Sequence, residues 1–204
     1  MKNYKAWILD FDGTLSRQTP VRILMALQLT GYYFLRPTRL KEILILRDWR
    51  RLRENRFRAE KENFRELQLD ELSRRYDLPT NEIEKILRDW LIERPLKILR
   101  FAVRKNFLEV VKCFQNSGVK MIVYSDNPVK EKLRAIDFSP DASFSADEIH
   151  CMKPDAHGLK NILAAMNLNS CDVLFIGDRD DRDGLCAKAA GVDYLNVKNF
   201  EVLS

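Results

Sequence analysis

Hydrophobic positions change their period twice along this 204-residue chain. Lys5 to Leu9 (KAWIL) is a short apolar run and predicts a strand that ends at Asp10. From about Val21 to about Arg104 the apolar residues recur at intervals of three and four. Leu40, Ile43, Leu44 and Leu46 form one such set, Leu67, Leu69 and Leu72 a second, and Ile83, Ile86, Leu87, Trp90 and Leu91 a third. That period predicts amphipathic helices throughout the segment. Gly31 and Pro37 are expected to punctuate the first pair, and Leu78-Pro79-Thr80-Asn81 with Glu84 predicts a turn and a capping box. Beyond this segment Val119–Tyr124, Asp172–Ile176 and Tyr194–Val197 are short, apolar and rich in strand formers. They alternate with predicted helices near 106–117, 128–136, 157–167 and 184–190.

Strands separated by helices of this length imply right-handed crossovers and a parallel sheet, and continuous apolarity implies that both its faces are covered. The first strand shares that character. The expected fold class is therefore α/β: residues 1–15 and 105–204 form a Rossmann-like parallel-sheet core, with residues 16–104 inserted as an all-helical cap. Ligands of such sheets sit beyond the carboxyl ends of the strands. Asp10, Ser125 and Asp178 each follow a predicted strand, so the three should converge there, with the helical insert as a lid.

Composition narrows the class further. With 46% hydrophobic and 32% charged residues the chain is globular rather than disordered. The N-terminal apolar run is too short for a signal-peptide core, and the longest uncharged stretch, Ile23–Leu35, falls short of a membrane span, so a soluble cytoplasmic protein is expected. Cys113, Cys151, Cys171 and Cys186 form no CxxC pair and are expected to be buried or half-buried free thiols. His150, Cys151 and His157 match no common zinc spacing.

The net charge of +5 is uneven: residues 36–105 hold twenty Lys and Arg against thirteen Asp and Glu. Arg47, Arg50, Arg51, Arg53, Arg56 and Arg58 are expected to form a solvated helix face, paired in part with Glu54, Glu60 and Glu62. Ile23–Leu35 is expected to be core of the cap in preference to a membrane-facing helix.

Four separated segments carry residue types suited to phosphoryl transfer. They are Asp10-Phe11-Asp12-Gly13-Thr14, Ser125-Asp126-Asn127, Lys153-Pro154, and Gly177-Asp178 followed by Asp183. Two carboxylates at Asp10 and Asp12 suggest one nucleophile and one proton carrier. A carboxylate attacking an anionic phosphate needs positive charge nearby. Lys153 supplies one, and a hard divalent cation held by Asp10 and Asp178 would supply more. The Ser125 hydroxyl adds a donor. Asp183 suits a ligand or an orienting group. The acidic run at 178–183 is not an EF-hand, since Asp183 stands where that loop requires Gly.

In these motifs the chain resembles the haloacid dehalogenase superfamily of phosphohydrolases, with a helical cap inserted after the first motif. The motifs stand as Asp10-Phe11-Asp12-Gly13-Thr14-Leu15, Tyr124-Ser125-Asp126-Asn127, Lys153-Pro154-Asp155 and Gly177-Asp178-Arg179-Asp180-Asp181-Arg182-Asp183. The resemblance implies that Asp10 becomes a phosphoaspartate, Asp12 is the general acid/base and Lys153 stabilises charge. It also implies that Ser125, Asp126 and Thr14 meet the substrate, and that Mg²⁺ is held by Asp10, the Asp12 carbonyl, Asp178 and Asp183. Members that cleave carbon–halogen bonds lack an Asp at the position of Asp12. Two departures are Arg179, where many relatives have Ser, and Asp126, where Asn or Gly is usual. The expected function is Mg²⁺-dependent hydrolysis of a small-molecule phosphomonoester. A phosphomutase-type transferase using the same residues is the nearest alternative. A non-catalytic nucleic-acid- or membrane-binding protein that uses the basic cap is another, and nucleic acid is the less expected partner.

Overall fold

The computed structural model describes residues 3–55 and 64–201. In chain order the elements are β1 (Ala6–Leu9), α1 (Gln18–Phe34), α2 (Lys41–Asn55), α3 (Phe64–Tyr76), α4 (Thr80–Arg88), α5 (Arg94–Leu99) and α6 (Lys105–Asn116). They continue as β2 (Lys120–Ser125), α7 (Lys130–Ala135), β3 (Ala142–Ser145), α8 (Ala146–Ile149), α9 (Ala156–Ala165), β4 (Val173–Gly177), α10 (Leu185–Ala190), β5 (Asp193–Asn196) and α11 (Val197–Glu201). The strands form one sheet in the order β3-β2-β1-β4-β5, and every pair is parallel.

The alternation of side chains along each strand builds two cores, one on each face. Trp7, Leu9, Met121, Val123, Leu174 and Ile176 pack against Phe107, Leu108, Val111 and Leu133 of α6 and α7. Ala6, Ile8, Ile122, Tyr124, Val173 and Phe175 pack against Leu159, Ile162, Cys186 and Ala187 of α9 and α10. Covering both faces is what allows strands with almost no polar positions. Helices between β1 and α6 gather around a separate cluster that includes Tyr33, Ile45, Trp49, Leu72, Ile83, Leu87 and Trp90. The expected α/β class with a helical insertion is therefore what the chain forms.

Several local expectations differ. β3 was not expected: its sequence, Ala-Ser-Phe-Ser, has no β-branched residue and gains its strand geometry from pairing with Ile122–Ser125. Gly31 lies inside α1, and the break comes only at the turn opened by Pro37. No capping box forms between Asn81 and Glu84, because Asn81 already lies inside α4 behind Pro79; Glu84 instead reaches Arg65 at 3.6 Å. A capping box does form at Ser145, whose N–H donates to Glu148 Oε2 at 2.9 Å. Cys113 and Cys171 are exposed, on the outer face of α6 and in the turn before β4, contrary to their expected burial. Met25, Leu29, Tyr32 and Tyr33 of α1 pack inward, but Ile23, Leu24, Leu27, Phe34 and Leu35 are exposed, so this segment is only half a core element.

Of the arginines expected on a solvated face, Arg50 and Arg51 are exposed and Arg47 pairs with Asp48 at 2.9 Å. Arg53 is buried and crosses to the α/β core, as described below. Arg56, Arg58, Glu60 and Glu62 lie outside the described residues, as does the Glu54 side chain.

Asp48 anchors the helical block. Its buried carboxylate accepts from Arg75 at 2.8 Å, Arg47 at 2.9 Å and the Tyr76 hydroxyl at 2.9 Å. The Arg75 hydrogen bond, with Arg47 and Tyr76, outweighs desolvation and holds the carboxyl down at about 2. A folded-state value below the unfolded one stabilises the protein above about pH 4, and that contribution is lost as pH falls through about 2. Because both arginines are half exposed, the full shift is discounted, and Asp48→Asn should cost about 1–2 kcal/mol at neutral pH. Urea unfolding at pH 7 and pH 3 checks this, with the gap between wild type and variant narrowing at the lower pH.

Candidate active site

Three neighbouring strands end together. β1 runs into Asp10, β2 ends in Ser125, and β4 runs into Asp178, with β1 between the other two. The Asp10 N–H donates to Ile176 O at 2.9 Å, which fixes the end of β1 against β4. Asp10 is buried; its Oδ1 accepts from Lys153 Nζ at 2.6 Å and its Oδ2 from Thr14 Oγ1 at 3.2 Å. Thr14 thus touches the candidate nucleophile.

Lys153 is buried, only 2% exposed. Its ammonium lies 2.6 Å from Asp10 and 2.7 Å from Asp183 and also donates to Tyr124 O at 3.3 Å. The backbone of Lys153 is gripped from two sides. Its N–H donates to Asp126 Oδ1 at 3.0 Å, and its carbonyl accepts from Arg182 Nε at 3.0 Å and from the Arg182 terminal nitrogen at 2.6 Å. Asp126 and Arg182 are themselves 3.4 Å apart. The Asp126 carboxylate, expected at the substrate, is therefore turned to holding Lys153.

Asp10, Asp178 and Asp183 each offer a carboxylate oxygen, all within 4.8 Å of one another. Two glycines make this approach possible. A Cβ on Gly13, whose φ of +112° already disfavours a side chain, would lie 2.1 Å from Asp178 Oδ2. One on Gly177 would lie 2.5 Å from Asp183 Cβ.

Burial, with the charge of Asp183 added and that of Lys153 opposing, pushes Asp10 up to about 8. Burial raises Asp178 as well, again with Asp183 contributing. Lys153 keeps its proton well above the usual lysine range, because Asp10 and Asp183 outweigh its desolvation.

Three carboxylates thus face one ammonium. Asp183 Oδ1, though near Lys153, has no aligned hydrogen-bond donor, and no described residue donates to the Asp178 carboxylate. An all-oxygen, electron-rich set short of positive charge fits a hard divalent cation such as Mg²⁺.

Asp12 does not join this group. Its Oδ2 accepts from Lys132 Nζ at 2.6 Å and from Asn127 Nδ2 at 3.2 Å, and its carbonyl, expected on the metal, accepts from Gln18 Nε2. Burial favours protonation of Asp12, but Lys132 and Asn127 prevail and hold it below the usual carboxylate range. Ser125 is buried at the end of β2; its Oγ accepts from the Asn127 N–H at 3.2 Å and donates to no described residue.

Lys132 and Arg182 had no role assigned from the sequence, and Arg53 was expected on a solvated helix face. Arg53 of α2 donates to the Asp126 carbonyl at 2.6 Å and pairs with Asp147 at 3.0 Å, tying the helical insert to the loop after β2. Lys132 lies shortly after the second motif and Arg182 inside the fourth, a placement that was the one available signal. Among the described residues His150, Cys151 and His157 form no metal-binding group.

The fold recurs in solved structures. YfnB of Bacillus subtilis, bound to magnesium, is 14% identical with a TM-score of 0.64, the match covering 95% of this chain and 88% of that one. A 2-haloacid dehalogenase from Pseudomonas syringae pv. Tomato DC3000 is also 14% identical with a TM-score of 0.64, covering 94% and 85%. A HAD phosphatase from Thermococcus onnurineus is 19% identical with a TM-score of 0.60, covering 93% and 84%. At these identities the likeness is one of fold. No curated protein sequence matches the chain at a significant level. The haloacid dehalogenase-like hydrolase family matches residues 4–191, nearly the whole length and all four motifs. This chain belongs to the haloacid dehalogenase-like hydrolases.

Proposed function

We propose that the protein is a Mg²⁺-dependent phosphatase that hydrolyses a phosphomonoester of a small organic molecule through a phosphoaspartate on Asp10. The observation that carries this reading is Asp12, a second carboxylate two residues from the candidate nucleophile and held by Lys132 and Asn127. Carbon–halogen cleavage expels a halide, which needs no proton. Phosphomonoester cleavage expels an alkoxide, which needs an acid beside it.

In this reading an Asp10 carboxylate oxygen attacks phosphorus, the bond from phosphorus to the ester oxygen breaks, and that oxygen takes a proton from Asp12. Asp12 is ionised where it rests against Lys132, so delivering a proton requires it to leave that contact protonated. Asp12 then removes a proton from water as the water attacks phosphorus, which releases phosphate and restores Asp10. Lys153 binds the phosphoryl oxygens while holding Asp10 in line, and Ser125 directs its unused hydroxyl hydrogen to another phosphoryl oxygen. Asp10, Asp178 and Asp183 would hold Mg²⁺, which supplies Lewis-acid neutralisation of the phosphate charge.

Phosphate release from a panel of sugar phosphates, nucleotides and small phosphorylated acids tests the proposal. Release should require Mg²⁺, stop on chelation by EDTA and return when Mg²⁺ is restored in excess. Transfer to a second hydroxyl without release of phosphate would favour the phosphomutase-type alternative. Release that is indifferent to EDTA would remove the metal from the account.

A further inference from the structure

Helix α1 is apolar nearly all round. Its inward side, Met25, Leu29, Tyr32 and Tyr33, joins the core of the helical block. Its outward side carries Ile23 at 56% exposure, Leu27 at 66% and Phe34 at 84%, spaced four and seven residues apart and therefore in one stripe along the helix. Leu24 and Leu35 widen it. A helix with apolar residues on all sides is ordinarily covered on all sides. Nothing in the described chain covers this one, and contiguous exposed apolar surface marks an interaction site.

The charges carried by this stretch of chain are of one sign: residues 14–41 include Arg17, Arg22, Arg36, Arg39 and Lys41 and no Asp or Glu. They stand at the two ends of the helix: Arg17 and Arg22 by its first turns, Arg36 to Lys41 after its last. Arg22 donates to Gln18, Arg36 stacks over Tyr32 at 4.5 Å from the ring centre, and Arg39 is neutralised by Glu42. Arg22, Arg36 and Lys41 remain exposed.

We propose that the outer face of α1 docks on an anionic lipid bilayer, lying in the interface with its apolar stripe in the acyl boundary and its basic ends among the headgroups. Two other occupants fit less well. A second copy of the chain, paired about a two-fold axis, would set this acid-free patch against itself and bring arginine against arginine. A membrane span is ruled out by length: α1 has 17 residues, rising about 25 Å, and no described helix is long and apolar enough to cross. An anionic bilayer offers an apolar layer and negative charge together, the combination this face complements.

The helix also begins at the catalytic centre, since Gln18 in its first turn donates to the Asp12 carbonyl. Ile23, the first residue of the stripe, lies about 8 Å along the axis from Gln18. Docking through α1 would accordingly hold the active site close to the headgroup layer.

Flotation of the full chain with vesicles tests this, comparing phosphatidylcholine alone with phosphatidylcholine containing about 30 mol% phosphatidylserine. The protein should float with the anionic vesicles and not the neutral ones, and raised salt should weaken the association. Leu27→Ser/Phe34→Ser should lower binding by about 10-fold or more while leaving the urea midpoint unchanged. Arg22→Gln/Arg36→Gln, which leaves the apolar stripe intact, should weaken it in a salt-dependent way. Absence of binding to anionic vesicles, or binding by both variants as strong as that of the wild type, overturns the proposal. So does a dimer in sedimentation that Leu27→Ser/Phe34→Ser dissolves, which would assign the face to a second copy. None of these readouts depends on phosphatase activity.

Discussion

Asp10→Asn should remain folded and turn over at less than about 10⁻⁴ of the wild-type rate. An amide cannot form the acyl phosphate, so the loss concerns the covalent step rather than binding. The fold should survive because the substitution keeps nearly the same shape and leaves a carbonyl oxygen for Lys153 or Thr14 to reach. It also removes one of three clustered carboxylates that are opposed by a single ammonium. Burial and the charge of Asp183 push Asp10 toward its neutral form against the pull of Lys153, so an uncharged side chain is tolerated in this environment. Phosphate release by the purified variant, with circular dichroism as the folding control, checks the expectation. Substantial residual turnover would take the nucleophile role from Asp10.

Lys153→Met should lose activity and stability together. The substitution keeps much of the buried stem and removes the charge. Asp10 and Asp183, at 2.6 and 2.7 Å from the ammonium, then face each other without it. Breaking a buried ion pair from one side typically costs about 3–5 kcal/mol, most of it the penalty of the charge left behind. Loss of a donor aimed at the phosphoryl oxygens should cost about 10²-fold or more in rate, or roughly 3 kcal/mol of transition-state stabilisation. Mg²⁺ should restore part of the stability, since it neutralises the same carboxylates, but little of the rate. Urea midpoints with and without Mg²⁺, beside turnover numbers, separate the two effects. An unchanged rate would remove Lys153 from the site.

Much of this arrangement was legible in the sequence because its strands are long enough and apolar enough to announce themselves. β1, β2 and β4, the three that carry Asp10, Ser125 and Asp178, are also the three most buried, so the most readable strands were the ones that position the chemistry. β3, an edge strand built from Ala, Ser and Phe, gave no periodic signal, because its geometry comes from a neighbour. Charge was harder to place. Arg53 sits in a basic helix whose other arginines face solvent, and only the fold reveals that its turn of α2 overlies Asp126 and Asp147. The family resemblance implied a substrate contact for Asp126, whereas its carboxylate accepts from the Lys153 N–H. Lys132 lies in α7 after β2, and the parallel pairing of β1 with β2 is what brings it to Asp12. The outward half of α1 misled for a different reason, since apolar composition reports what a helix prefers to contact and not whether its own chain supplies the contact.

The central claim is that a phosphoryl group passes through Asp10. Rapid-quench reaction with a ³²P-labelled phosphomonoester, followed by peptide mapping, tests it most directly. The account predicts transient label on the peptide containing Asp10, removed by hydroxylamine as an acyl phosphate is, and absent from Asp10→Asn. Label on another residue, or phosphate release by Asp10→Asn at the wild-type rate, would contradict it.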